Sequence, residues 1–171
     1  VTDRVPGTVC QAWTCAPPLR GPFPLVSPLP LRQHARLEPR AHGADDALVF
    51  SSGMSAIATL LLALVSQNDV IVHSGPLYAA TETLIARILS RFGVSFLDFP
   101  AGASRAEIDD ILERAKAKAA ETGGKVALVY LESPANPTNA LVDVEAVHAA
   151  RDAAFTGEQK PAIAIDNTFL G

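Results

Sequence analysis

The sequence predicts an α/β domain built on a mostly parallel sheet flanked by helices. Three observations predict it. From Ala44 onward, short aliphatic runs alternate with helix-length segments, and no internal repeat is present. The runs are continuously apolar, as in strands covered on both sides. Polar, glycine and proline residues gather just after the runs, where ligand-binding loops of an open parallel sheet lie.

The elements follow in order. Ala47–Phe50 reads as a first short strand. Gly53–Ser66 has helix length and is apolar almost all round, which predicts a buried helix. Val70–His73 is a second strand. Leu84, Ile85, Ile88, Leu89 and Phe92 fall at helical spacing, and Gly93 stops that helix. Val94–Phe99 is a third strand. Ser104 with Glu107 forms a capping box. The helix after it shows Ile108, Ile111, Leu112, Ala115 and Ala119 on one face and ends at Gly123–Gly124. Val126–Leu131 is a fourth strand, Asp143 caps a helix through Phe155, and Ala162–Ile165 is a last strand.

Composition bounds the function. A chain of 171 residues with 49% hydrophobic and 19% charged residues can bury a real core and is not a disordered polymer. Its net charge of −4 argues against nucleic acid as a partner. Two cysteines, Cys10 and Cys15, make no disulfide scaffold. The longest apolar stretch, Met54 to Val65, is too short for a bilayer, which needs about 20 residues. No membrane partner is expected, and the expected location is cytoplasmic.

The average hides two segments. Residues 1–40 hold eight of the 13 prolines and are net +3, whereas 41–171 are net −7. The expected organisation is a Pro/Arg-rich, poorly ordered leader at 1–36, followed by a domain at 37–171.

Candidate site residues lie at the carboxyl ends of the strands. Ser52-Gly53-Met54 sits where a strand turns into a helix, so its free N–H groups and the helix dipole suit an anion such as phosphate. The alternative is that Ser52 only caps the helix. There is neither GxGxxG nor Walker A. Asp166, at the tip of a buried strand, needs a cation or donors. A protonated heteroaromatic nitrogen or a metal would serve, or the carboxylate caps the turn through Asn167 or Thr168. The four histidines, His34, His42, His73 and His148, lack metal-ligand spacing. His73 reads as a strand-end hydrogen bonder and His148 as an outward helix residue. Tyr78 can stack on a flat ring or pack at a helix start. Asn136, between Pro134 and Pro137, has its amide aimed by a rigid turn or forms an Asx turn. Glu132 suits holding that loop by hydrogen bonds.

Four segments together carry a resemblance. Phe50 to Ile57 (FSSGMSAI), Pro76-Leu77-Tyr78, Glu132 to Thr138 (ESPANPT) and Asp166 to Phe169 (DNTF) closely resemble the Cys/Met-metabolism, or trans-sulfuration, family of pyridoxal-phosphate enzymes, over roughly 37–171. This family includes cystathionine γ-synthase, cystathionine lyases, methionine γ-lyase and O-acylhomoserine sulfhydrylases. The resemblance implies part of a fold type I large domain, incomplete at its C-terminus, with pyridoxal 5'-phosphate as cofactor. It implies that Ser52, Gly53 and Met54 hold the phosphate and that Tyr78 stacks on the ring. It further implies that Asn136 bonds the phenolic-oxygen side and that Asp166 pairs with the ring nitrogen, supported by Thr168. The implied substrates are sulfur amino acids or activated homoserine, and the implied parent is a homo-oligomer, a tetramer of dimeric units.

The family's Schiff-base lysine follows the Asp-Asn-Thr strand by some tens of residues and has no counterpart up to Gly171. The Tyr-x-Arg element expected before the Ser-Gly-Met turn is also missing from 1–50, which fits a leader joined out of frame. No catalytic residue is therefore assigned. The 171-residue chain is expected to be inactive alone, with at best noncovalent cofactor binding. The alternatives are a remnant that pairs with a full-length relative, or an unrelated phosphate-binding α/β module.

Overall fold

The computed structural model describes residues 50–169. The expected first strand, save Phe50, and the proposed leader at 1–36 lie outside them. Within them the order is helix α1 (Gly53–Leu64), strand β1 (Val70–Gly75), helix α2 (Ala79–Thr83), strand β2 (Ser95–Pro100), helix α3 (Arg105–Thr122), strand β3 (Val126–Glu132), helix α4 (Val144–Ala154) and strand β4 (Ala162–Asp166). The four strands form one sheet in the order β2-β1-β3-β4, and every pairing is parallel. The βαβ alternation in the sequence specifies this, because parallel neighbours need a crossover.

Side chains alternate between two apolar layers. Val70, Val72, Val129, Leu131 and Ile163 face α3 and α4, whose Ile108, Leu112, Ala115, Val147 and Ala150 complete that core. Ile71, Leu128, Tyr130 and Ala164 face the other way, onto Ile57 and Leu61 of α1 and Ile85 and Leu89 beyond α2. Each fully buried Leu or Ile contributes about 1.5–3 kcal/mol.

The helix ends follow local chemistry. Ser104 and Glu107 form the capping box, with Glu107 Oε2 accepting the Ser104 N–H at 2.7 Å. Gly123 takes the left-handed conformation, φ 73°, that ends α3. Asp143 Oδ1 accepts the Ala146 N–H at 2.9 Å and starts α4. At the amino ends of the strands, Asp69 accepts the N–H of Ser66 at 2.9 Å and of Lys125 at 3.0 Å, tying the starts of β1 and β3 together.

Two expectations need correction. α1 is not buried all round: Ile57 and Leu61 are buried, but Leu62 is 67% exposed. An all-apolar helix has no periodicity to mark its covered face, and no described element covers the outer one. The helix predicted around Leu84–Phe92 begins earlier, at Ala79, and changes pitch through a widened π turn (Leu84–Ile88) and a tight 3-10 turn (Leu89–Phe92). The widened turn rotates the register, so Ile85 and Leu89 are buried while Ile88 and Phe92 face outward.

Candidate cofactor site

The carboxyl ends of β1, β3 and β4 and the start of α1 meet around a cavity of about 350 Å³. All seven residues singled out from the sequence line it: Ser52, Gly53 and Met54 from the α1 start, Tyr78 from the loop after β1, Asn136 from the loop after β3, and Asp166 and Thr168 from the end of β4. Ile57, Glu132, Pro134 and Phe169 complete the lining. The volume falls at the small end of the range of ligand pockets, about 300–1,000 Å³.

The α1 start leaves two donors free. The Ser52 hydroxyl accepts the Ser55 N–H at 3.1 Å, and the Ser55 hydroxyl accepts the Ser52 N–H at 3.1 Å. The Ala56 N–H reaches the Ser52 carbonyl. Of the four N–H groups a helix start exposes, only those of Gly53 and Met54 find no acceptor among the described residues. Ser52 therefore does cap the helix, and the cap leaves those two amides for a ligand.

Glu132 organises two loops. It is 4% exposed. Its Oε2 accepts the Tyr78 N–H at 2.7 Å and its Oε1 accepts the Asn136 N–H at 2.8 Å. Burial raises its pKa above the usual carboxylate value; the two N–H bonds oppose that rise and the negative charge of Asp166 adds to it. With both loop backbones anchored on one carboxylate, the Tyr78 ring stands 45% exposed at the rim.

Asp166 is buried, with its two oxygens divided. Oδ1 accepts the N–H of Thr168 at 3.1 Å and its hydroxyl at 2.5 Å, so the turn cap considered from the sequence is realised. Oδ2 takes the more distant Tyr130 hydroxyl at 3.4 Å. Tyr130 was not singled out by sequence reasoning. The available signal was a lone phenol in an aliphatic strand, two residues before Glu132 and hence on the same face.

Elsewhere, His73 Nδ1 pairs with the Ser74 carbonyl at 2.9 Å at the end of β1, and its ring stacks on Phe96. His148 is half-buried beside Arg151 rather than outward, because its helix face turns partly into the α3–α4 layer. Burial and the Arg151 charge lower its pKa. Lys116 and Lys118 pair with Glu113 and Glu121 on α3, Lys125 precedes β3 and Lys160 pairs with Asp152; none lines the cavity. Among the described residues, no three His, Cys, Asp or Glu side chains converge as a metal-ligand set. No helix among them is long and apolar enough to cross a membrane.

A parallel sheet whose carboxyl rim carries an open helix start, an aromatic ring and a buried acid is the framework of an α/β cofactor-binding domain. The family model for Cys/Met metabolism PLP-dependent enzymes matches residues 35–171, and the chain belongs to that family. It is 32% identical over 130 residues to the cystathionine beta-lyase MetC of Bacillus subtilis (strain 168), covering 75% of this chain and 28% of the relative. It is 31% identical over 127 residues to the O-succinylhomoserine sulfhydrylase of Pseudomonas aeruginosa, covering 74% and 28%. The fold matches the crystal structure of metB from Corynebacterium glutamicum with a TM-score of 0.66 at 24% identity, over 81% of this chain and 32% of that one. This chain thus spans 28% of the length of each of these two curated relatives.

Proposed function

We propose that this chain supplies the phosphate- and ring-binding part of a pyridoxal-phosphate site in a cytoplasmic enzyme acting on sulfur amino acids or activated homoserine. The observation that carries the reading is the set of groups on one cavity: two helix amides with no acceptor among the described residues, an exposed aromatic residue and a buried carboxylate. That set suits a phosphorylated aromatic ring with a basic nitrogen better than a nucleotide, which would bring no cation to the buried acid.

The residues divide the work. The Gly53 and Met54 N–H groups donate to the phosphate, and the α1 dipole favours its charge. The capping bonds of Ser52 hold those amides in place. Asp166, fixed by Thr168, would pair with the ring nitrogen and keep it protonated. Tyr78 would cover a ring face, and Asn136 would bond the phenolic-oxygen side. Pyridoxal phosphate, when bound, supplies an electron-accepting ring for a carbanion formed beside the substrate amine. No lysine lines the cavity, so the 171-residue chain alone is expected to bind the cofactor reversibly and to be catalytically silent. Exposed Leu62 of α1, with Ile88 and Phe92 in the turns beyond α2, supports self-association of the full enzyme as a homo-oligomer.

Titration of the chain with pyridoxal phosphate, followed by absorbance and fluorescence, tests the reading. Saturable binding that inorganic phosphate competes away is expected. Binding of a nucleoside phosphate in preference to pyridoxal phosphate would overturn it.

A further inference from the structure

We propose that Tyr130 is a positioning residue for the Asp166 carboxylate, an inference that rests on the pyridoxal-phosphate reading above. Tyr130 is 1% exposed and does not line the cavity, so it acts only through its neighbour. The sheet register explains how it reaches. In the parallel β3–β4 pair, Tyr130 lies opposite Ala164 and Glu132 opposite Asp166. Asp166 is therefore the diagonal neighbour of Tyr130 on the same face, within range of an aromatic side chain. Ala164, small and buried, leaves the space the phenol crosses.

The division of oxygens gives the contact its meaning. Thr168 occupies Oδ1 twice, and the Tyr130 hydroxyl approaches Oδ2 at 3.4 Å. Contacts on both oxygens fix the carboxylate plane, so the lone pairs left to a ring nitrogen have one direction. Burial, followed by the charges of Asp166 and Glu132, holds the phenol protonated far above the usual tyrosine range. Tyr130 thus serves Asp166 as a donor throughout the physiological range. A buried hydroxyl without such a partner would be costlier than the phenylalanine that fits the same space. Thr81, fully buried, sends its hydroxyl to Met54 Sδ at 3.8 Å.

The test compares two ligands on the 171-residue chain: pyridoxal phosphate and its 1-deaza analogue, which lacks the ring nitrogen. The unsubstituted chain should prefer pyridoxal phosphate. Tyr130→Phe should weaken pyridoxal phosphate about three- to tenfold, the size of one hydrogen bond, and leave the analogue unchanged. Asp166→Asn should abolish the preference, and adding Tyr130→Phe to it should change nothing further. Equal weakening of both ligands, or no weakening, would overturn the role of Tyr130 while leaving the Asp166 assignment intact. Equal affinity of the unsubstituted chain for both ligands would overturn that assignment and this inference with it. A second measurement covers a variant that fails to fold. Tyr78 and Tyr130 are the two tyrosines in the chain, so their 13Cζ resonances are readily told apart. The Tyr130 signal should move on Asp166→Asn; a stationary signal overturns the proposal.

Discussion

Glu132 and Tyr78, 54 residues apart in the chain, are joined by a 2.7 Å hydrogen bond from the Tyr78 backbone N–H to the buried Glu132 carboxylate. The other oxygen of that carboxylate holds Asn136 at 2.8 Å. One side chain therefore sets the spacing of two loops that line the cavity. Glu132→Ala is expected to destabilise the chain by about 2–4 kcal/mol, because two N–H groups lose a charged acceptor. Affinity for pyridoxal phosphate should also fall. Urea denaturation and a cofactor titration check the two effects separately.

The raised pKa of Glu132 has a sign that can be measured. The folded state holds this proton more tightly than the unfolded state. Its stabilising effect is thus fully present below the ordinary carboxylate value of 4.5 and is lost as pH rises through the folded pKa. Glu107 and Asp152, whose pKa values are lowered by hydrogen bonds to Ser104 and by their Lys160 and Arg151 partners, act oppositely and lose stability as pH falls. Glu132→Gln should remove the decline on the alkaline side of 4.5 and leave the acid limb intact. Denaturation midpoints across that pH range report it.

Gly53→Pro tests one of the two proposed phosphate donors. Gly53 is the first residue of α1, where the helix has no use for its N–H, and Ser52 is already extended at φ −159°, as a residue before proline prefers. The helix should keep its stability while pyridoxal phosphate and inorganic phosphate both bind several-fold more weakly. Gly53→Ala is the control for the added side chain. Circular dichroism and competition titrations provide the readout.

Gly124 and Gly157 should differ for a spatial reason. A Cβ on Gly124 would collide with the Asn68 carbonyl, whereas one on Gly157 meets nothing within 4 Å. Gly124→Ala is expected to cost more than about 2 kcal/mol, since backbone must move. Gly157→Ala carries only the strain of its left-handed φ of 57°, about 1 kcal/mol. Thermal melts rank the pair.

The strand–helix alternation was legible because each segment carries its own local signal. Ser104 and Glu107 announce a helix start, Gly123 its stop, and the aliphatic run from Val126 a doubly covered strand. The cavity residues were legible because they follow strand ends in short polar clusters. Tyr130 was not, since its partner lies on a neighbouring strand and only the register joins them. The open flank of α1 escaped for a related reason: Leu61 and Leu62 have the same chemistry, yet one is buried and the other 67% exposed. The pitch change after Thr83 leaves no mark in a run of ordinary helix formers.

Asp69 locks the strands at the end remote from the cavity, through Ser66 and Lys125. Architecture and chemistry thereby occupy opposite poles of the sheet. A lineage can redraw the loops at one pole, and with them the ligands they admit, while the clasp at the other keeps the scaffold intact. Diversification of this kind needs no compensating repair in the core.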